Sequence, residues 1–163
     1  MSIEERLARL EAETEIRRLK ARYLNACDAK EVDAVRACFT EDAAIDFAGM
    51  GRFTVDQLIG IFTELAVQTP IADSHHGHNG EIEILSADTA KARWNLGFTT
   101  YDPRNGAFRA SSMFYYDEYR LTDEGWRISA SRTEARSMIE GKADAGSITA
   151  SWLIPPPQMR PEA

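Results

Sequence analysis

Residues 81–94 read EIEILSADTAKARW, and this stretch holds two runs in which polar and apolar side chains alternate. The first run covers 81–84, the second covers 90–94, and residues 86–88 between them form a turn sequence. Alternation with a period of two is typical of a strand that buries one face. The stretch therefore predicts two sheet strands with a hydrophobic core on one side.

Further strands are predicted downstream, at 93–101, 108–121 and 126–136. They are separated by Asp-Pro-Arg-Asn-Gly at 102–106 and by Thr-Asp-Glu-Gly at 122–125, which are both strong turn sequences. Short turns join antiparallel neighbours, so the second half of the chain is predicted to be a meander of long antiparallel strands.

The first half of the chain is predicted to be mostly helical. Apolar residues recur every three or four positions over 3–27, and shorter helices fit 31–38 and 54–67, with a short strand at 43–47. Helices followed by a meander indicate an α+β domain in which the helices pack on one face of a curved sheet. A single domain over 1–163 fits the length, and residues 140–163, which include a Pro-rich stretch, are predicted to form an extended C-terminal tail.

The overall composition narrows the class of protein. Hydrophobic residues make up 44% and charged residues 28% of the chain, as is usual for a soluble globular protein. A net charge of -7 argues against binding to nucleic acid or to an anionic membrane surface, because both depend on positive side chains. The charged N-terminus has no signal-peptide pattern, and Cys27 and Cys38 are predicted to be reduced thiols in a cytoplasmic protein.

All three histidines of the chain lie within four positions, at His75, His76 and His78. Three interpretations are open: a metal site, one catalytic histidine with two bystanders, or a chance cluster on the surface. On a continuous strand His75 and Gly77 face one way, whereas His76 and His78 face the other, so the three imidazoles do not converge on one ion. We therefore favour a single working histidine and expect neither a metal nor another cofactor.

A histidine base needs a carboxylate that holds its tautomer and stabilises the imidazolium. Asp28, at the end of the first predicted helix, is the candidate. Tyr23 lies on the apolar stripe of that helix, and Asp28, five residues later, shares its face only if the helix ends there. Two roles are open for Asp28, because residues 28–31 also fit a capping box for the next helix. Two roles are likewise open for Tyr23, as part of a site or as a core tyrosine.

Several motifs together resemble one superfamily over about residues 5–136. They are Tyr-x-x-x-x-Asp at 23–28, Cys-Phe-Thr-Glu-Asp-Ala at 38–43, His-His-Gly-His at 75–78, Ala-Arg-Trp at 92–94 and Phe-Tyr-Tyr-Asp-Glu-Tyr at 114–119. The chain is similar to the SnoaL-like branch of the nuclear-transport-factor-2-like superfamily, which includes scytalone dehydratase, and within it most resembles bile-acid 7-alpha-dehydratase. The resemblance implies a cystatin-like α+β cone, in which a strongly curved antiparallel or mixed sheet forms a barrel and three N-terminal helices pack on its concave face.

The resemblance also implies roles for individual residues. Tyr23 matches the catalytic tyrosine of the family, Asp28 matches the carboxylate of an Asp–His dyad, and His75 matches the histidine of that dyad. For Asp28 this favours the dyad over the cap. Phe98 stands where the bile-acid enzyme has a further acidic residue, so the substrate or the proton route is expected to differ.

An apolar pocket is implied between the sheet and the helices. The family carries an arginine on its last strand, and Arg132 and Arg136 are both candidates for it. His78 reaches the pocket if the strand bulges at Gly77. Ordinary core packing is the alternative for at least half of the aromatic candidates. The predicted substrate-binding residues are Phe47, Phe62, His78, Trp94, Phe98, Phe114, Tyr116 and Arg136.

The implied activity is that of a cofactor-independent lyase or isomerase, most specifically a dehydratase, acting on a small hydrophobic polycyclic, steroid-like or aromatic molecule. Two alternatives stay open. One is a structural subunit like the small β subunit of aromatic-ring-hydroxylating dioxygenases. A chain with this fold can be described as a ring hydroxylase because of that relationship. The other is a protein that binds a small ligand without turnover. The family also implies a homo-oligomer, either a trimer or a dimer.

Overall fold

The computed structural model describes residues 1–142, which form three α-helices and one six-stranded sheet. The helices are α1 (Ile3–Ala29), α2 (Val32–Arg36) and α3 (Val55–Phe62), and a π-helical turn, Thr63–Val67, extends α3. The strands are β1 (Phe39–Phe47), β2 (Gly51–Phe53), β3 (Ala72–Ile84), β4 (Thr89–Asp102), β5 (Ala107–Thr122) and β6 (Gly125–Lys142).

The sheet has the strand order β2-β1-β6-β5-β4-β3. Neighbouring strands are antiparallel except β1 and β6, which run parallel and make the sheet mixed. The sheet curves into a cone, and the three helices pack against its concave face. The predicted α+β cone is therefore confirmed, and the predicted meander corresponds to β3 through β6.

Two elements differ in extent from the prediction. The segment 31–38 holds only the short helix α2, and β1 begins at Phe39, earlier than predicted. A backbone hydrogen bond explains the early start, because the Ile128 amide of β6 donates to the Cys38 carbonyl at 2.9 Å and ties this segment to the sheet. The third predicted helix is confirmed as α3 together with its π-helical turn.

Helix α1 lies along β3 and buries only its C-terminal half. The apolar stripe predicted to face the sheet is exposed at its beginning, where Leu7 is 55% exposed, and is buried from Ile16 onward. The second half of α1 therefore holds the helix to the sheet. It is this half that carries Tyr23 and Asp28.

A buried ion pair anchors the second half of α1. Nζ of Lys20 lies 2.8 Å from Oδ2 of Asp117 in β5, and the two side chains are 2% and 0% exposed. Asp117 also accepts hydrogen bonds from the hydroxyls of Ser131 at 2.7 Å and Tyr119 at 2.9 Å. The Tyr119 hydroxyl in turn accepts one from Nε1 of Trp94 at 2.9 Å. Burial lowers the pKa of Lys20, and the charge of Asp117 opposes that shift. With Lys20, Ser131 and Tyr119 around it, the buried Asp117 carboxylate has the partners that a buried charge needs.

Glycine allows α1 and Trp94 to approach β3 closely. A Cβ atom at Gly77 would lie 2.8 Å from Cδ1 of Leu24 in α1, and a Cβ atom at Gly80 would lie 2.1 Å from the Trp94 ring. A side chain at Gly77 would displace the Leu24 methyl group, and a side chain at Gly80 would displace the Trp94 indole. Gly77 therefore gives Leu24 of α1 room to pack against β3, and Gly80 gives room to the indole.

The described part of the chain ends inside β6. This strand includes 140–142, the beginning of the segment predicted as an extended tail, and residues 143–163 lie outside the described residues. Among the helices of residues 1–142, none combines the length and the apolar character that a membrane span requires. Cys27 and Cys38 are buried free thiols.

Replacing Lys20 by Met should leave the Asp117 carboxylate buried without its counter-charge. We expect the free energy of unfolding to fall by about 3–5 kcal/mol, because an uncompensated buried charge is costly. Urea unfolding followed by circular dichroism measures this change. The matched control is Arg18→Met on the same helix, since Arg18 pairs with Glu15 on the surface and its loss should cost at most ~1 kcal/mol. Equal losses in the two variants would contradict the anchoring role.

The free energy of unfolding should also fall at alkaline pH, because several buried acids keep their protons in the folded state. Burial raises the pKa of Cys27 from 9.0 to about 12, and it raises the pKa of Tyr23 and Tyr119 well above the ordinary value. The unfolded chain loses these protons near the ordinary values, so between about pH 9 and about pH 12 it binds fewer protons than the folded chain. Stability is therefore full below this window and declines as pH rises through it.

Cys27 alone should contribute a slope of up to ~1.4 kcal/mol per pH unit. Urea unfolding between about pH 7 and pH 11 measures the slope, and Cys27→Ala should lessen it. Two outcomes would contradict a raised thiol pKa. One is a free energy of unfolding that stays constant over this pH range, and the other is an unchanged slope in Cys27→Ala.

Candidate functional site

The end of α1 meets β3 at a hydrogen-bonded pair, Asp28 and His75. Nδ1 of His75 lies 2.6 Å from Oδ1 of Asp28. The backbone N–H of His75 also donates to both carboxylate oxygens of Asp28, at 3.1 Å each. One carboxylate therefore holds the strand backbone and the imidazole together, which fixes the ring relative to α1.

Asp28 makes this contact because it lies in the last turn of α1, one residue before the helix ends at Ala29. Lys30 has a left-handed backbone, with φ 63° and ψ 32°. The N–H groups of Lys30 and Glu31 bond back to the carbonyls of Cys27 and Ala26, in the Schellman arrangement that terminates a helix. The alternative role of Asp28 as the cap of α2 is wrong, because α2 begins after Glu31 without any side-chain cap.

The same contact decides which ring nitrogen of His75 carries the proton. An ionised carboxylate only accepts hydrogen bonds, so Nδ1 of the neutral imidazole is the donor and Nε2 is the acceptor. The ring packs on Phe98, its register partner on β4, with 4.5 Å between the ring centroids. A ring held from two sides in one tautomer is what a histidine base requires.

Tyr23 is buried against β1 and β5. Its ring meets Phe39 and Tyr115 edge-on, with 5.3 and 6.4 Å between centroids. Like any phenol, the Tyr23 hydroxyl is protonated at neutral pH and can donate a hydrogen bond. Burial raises its pKa well above the ordinary value, so it also keeps its proton at alkaline pH. Cys27 links this residue to the dyad: burial is the main cause of its raised pKa, the adjacent Tyr23 hydroxyl lowers that pKa, and the charge of Asp28 raises it.

A cavity of about 650 Å³ opens beside the dyad, between the π-helical turn and the sheet. Its volume lies in the range of small-molecule sites. A second cavity, of about 690 Å³, lies on the outer face of the sheet, and a smaller one, of about 230 Å³, lies between α1 and β3 and is lined by His75 itself. Asp28 and His75 do not line the first cavity, but Phe98, which packs on the His75 ring, does. We assign the candidate site to the first cavity because of this neighbour and because its volume suits a small molecule. The residues that line the first cavity include Leu65, Ile71, Asp73, Phe98, Thr100 and Phe108.

Four of the predicted substrate-binding residues lie on the concave side of the sheet. Phe98 packs on His75 and lines the cavity beside the dyad. Phe47 and Phe62 pack against the core, and Trp94 belongs to it and donates to the buried network around Asp117. The structure therefore brings one of these four residues, Phe98, into direct contact with the dyad.

Phe114, Tyr116 and Arg136 lie on the outer face, so the prediction that they line the pocket of the cone is wrong. Side chains alternate along a strand, and the burial of Tyr115 and Asp117 on the concave side of β5 places Phe114 and Tyr116 on the other side. Arg136 stacks over Phe114, 5.0 Å from its centroid. Arg132, the other candidate for the pocket arginine, stacks over Tyr116 on the same outer face, 4.2 Å from the ring centroid.

His78 is a fourth correction. It pairs with Asn95 of β4, and its ring stacks on that of His76 with 6.0 Å between centroids, on the face opposite His75. The irregularity in β3 lies after His78 and before Glu81, instead of at Gly77, so the alternation holds through all three histidines. Within residues 1–142, no three histidine, cysteine or acidic side chains are arranged to hold a metal ion.

A second charged pair at the end of α1 was missed at the level of sequence. The Lys30 ammonium forms an ion pair with the Asp73 carboxylate, and the side chains are 6% and 9% exposed. Asp73 precedes His75 by two residues on β3 and lines the cavity beside the dyad. The two partners lie 43 positions apart, so no local pattern could have joined them.

Solved structures with the same fold include enzymes by name. The type 2 hexachlorocyclohexane dehydrochlorinase LinA is 19% identical in sequence, with a TM-score of 0.78. The aligned region covers 91% of this chain and 99% of the LinA chain. A candidate scytalone dehydratase from Novosphingobium aromaticivorans is 17% identical, with 84% and 92% covered and a TM-score of 0.76. A candidate aromatic ring hydroxylase from the same species is 24% identical, with 86% and 96% covered and a TM-score of 0.70. At these identities the likeness establishes a common fold.

The sequence itself matches a family description. The SnoaL-like domain family matches residues 8–132, from the first turns of α1 to the middle of β6. The match includes Tyr23, Asp28 and His75, and its fold is the NTF2-like, cystatin-like fold. This chain belongs to the SnoaL-like domain family.

Proposed function

We propose that this protein is a cofactor-independent lyase or isomerase in which His75 abstracts a proton from a small hydrophobic substrate. The observation that carries the proposal is the 2.6 Å contact between Nδ1 of His75 and Oδ1 of Asp28. A partly buried imidazole that is fixed with Nε2 as its acceptor has the geometry of a general base. Asp28 would stabilise the imidazolium as it forms, as a buried carboxylate does in a Ser-His-Asp triad.

Dehydration of a β-hydroxy ketone is the most specific form of the proposed reaction. Nε2 of His75 takes a proton from the carbon next to the carbonyl group, and the electron pair left behind forms an enolate. The enolate forms a carbon–carbon double bond as the carbon–oxygen bond breaks. The leaving hydroxyl takes a proton from the imidazolium and departs as water, which returns His75 to its neutral form without any oxidant or reductant.

Tyr23 is proposed to donate a hydrogen bond to the carbonyl oxygen, where negative charge develops. The support for this role is chemical, because a phenol is protonated at neutral pH and donates one hydrogen bond. Asp28, His75 and Tyr23 thus take complementary parts: one carboxylate, one base and one donor.

The proposed substrate is polycyclic, steroid-like or aromatic. The cavity of about 650 Å³ beside the dyad supports this class, since Leu65, Ile71, Phe98 and Phe108 line it with apolar surface. The names of two similar structures, a dehydrochlorinase and a candidate dehydratase, both denote eliminations and point the same way. Within the family we propose bile-acid 7-alpha-dehydratase and scytalone dehydratase as the nearest functional relatives.

His75→Gln should lower kcat by at least ~100-fold while the fold stays intact, because a general base contributes about 10²–10⁴-fold. The matched control is His76→Gln on the outer face of the same strand, which should keep the wild-type rate. Turnover is measured on a panel of cyclic β-hydroxy ketones, by the absorbance of the enone product and by deuterium uptake from heavy water next to the carbonyl group.

Each outcome of this assay has a defined meaning. Deuterium uptake without enone formation indicates an isomerase instead of a dehydratase. Equal rates in the wild type and His75→Gln would remove the dyad from the mechanism. Tight binding without any reaction supports a ligand-binding protein, and co-purification with a larger iron–sulfur protein supports a structural subunit.

We further propose that the protein is a homo-oligomer, a dimer or a trimer, that buries the outer face of the sheet. Arg132 over Tyr116 and Arg136 over Phe114 support this, because arginine and aromatic residues are enriched at protein interfaces. Light scattering at micromolar concentration should report a mass two or three times that of one chain, and Arg132→Glu should shift it toward one chain. A monomeric wild-type protein would contradict the proposal.

A further inference from the structure

The Lys30–Asp73 pair lies beside the Asp28–His75 pair along both segments. Lys30 follows Asp28 by two residues and Asp73 precedes His75 by two, so both contacts join the end of α1 to the same part of β3. Residues two apart on a strand share a face, and Asp73 therefore lies on the face that carries His75. The end of α1 is thus held to β3 by one ion pair and by the hydrogen bonds of Asp28 to His75.

The backbone at Lys30 is unusual for a lysine. Its φ of 63° and ψ of 32° lie in the left-handed region, which helix ends commonly fill with glycine. Within residues 1–142, Asn79 is the one other non-glycine residue with a positive φ. A lysine at a position that favours glycine indicates that its side chain has a task that glycine could not perform.

The burial of the pair indicates what that task is. The side chains of Lys30 and Asp73 are 6% and 9% exposed, so both charges are largely removed from water. The cost of this desolvation roughly cancels the attraction between the charges, and a buried ion pair therefore adds little net stability. It does fix geometry, because each charge is compensated only where its partner lies.

We infer that Lys30 and Asp73 are positioning residues, whose ion pair locks the end of α1 so that Asp28 holds Nδ1 of His75. This role rests on the proposed function, because it concerns the base of that reaction. Lys30 and Asp73 act through Asp28 and His75. Without the ion pair the left-handed turn still ends α1, but the last turn is free to shift along β3 and the 2.6 Å contact lengthens. A displacement of about 1 Å at a reacting group can lower a rate by about 100-fold.

Lys30→Gly is the central variant, with Lys30→Arg and Asn79→Gly as matched controls. Glycine accepts the left-handed backbone, so this variant removes the ammonium and leaves the helix end intact. Arginine keeps the positive charge. Asn79→Gly makes the same backbone change at the irregular part of β3 without altering the ion pair. Asp73→Asn removes the opposite charge.

The measured signal is the Nδ1 ring proton of His75 in isotope-labelled full-length protein. The chain has three histidines, so the ring spectrum is simple, and the His75 signal is the one that disappears in His75→Gln. We expect a slowly exchanging, downfield signal in the wild type, Lys30→Arg and Asn79→Gly, and its loss in Lys30→Gly and Asp73→Asn. On the substrate panel Lys30→Gly and Asp73→Asn should both lower kcat by ~10–100-fold. KM should change little in Lys30→Gly, because Asp73 lines the cavity and Lys30 does not.

Three results would count against the inference. A His75 signal that persists in Lys30→Gly and Asp73→Asn overturns the positioning role and leaves the proposed function intact. Loss of the signal in Asn79→Gly as well means that any backbone change removes it, which also overturns the role. If the wild type lacks the signal, the dyad itself is absent, and the proposed function falls together with the inference.

Discussion

The structure depends on the buried ion pair between Lys20 of α1 and Asp117 of β5. Both charges are removed from water, so each is stable only beside the other, and the ammonium also lies 3.3 Å from the centroid of the Tyr115 ring. A rotation or a slide of α1 would separate them. The pair therefore restricts how the helix sits in the cone, and with it the position of Tyr23 and Asp28.

Beyond this ion pair, the last turn of α1 packs against β3. Leu24 fits against Gly77, where a Cβ atom would be too close, and the left-handed Lys30 ends the helix just after Asp28. The charge pairs of Lys20 and Lys30 thus bracket the segment between them, which is held at both ends. Asp28 then reaches both the backbone and the ring of His75.

Aromatic residues were the least predictable part of the candidate site. Strand β5 carries aromatic side chains on both faces, so its pattern did not indicate which face the helices cover. Phe114 and Tyr116 are accommodated on the outer face because Arg136 and Arg132 stack over them. Phe98 lies in register with His75, and only the pairing of β3 with β4 brings the two rings together.

The sequence by itself determined the α+β class, the helices and strands to within several residues at their ends, and the candidates Asp28 and His75. Periodicity, turn residues and family motifs are local features, so they are visible without a structure. Only the tertiary structure decided that Asp28 binds His75 instead of capping α2, and that Lys20 and Lys30 pair with Asp117 and Asp73. Those partners lie 97 and 43 positions apart, and their contact depends on how the whole chain packs, which no local pattern encodes.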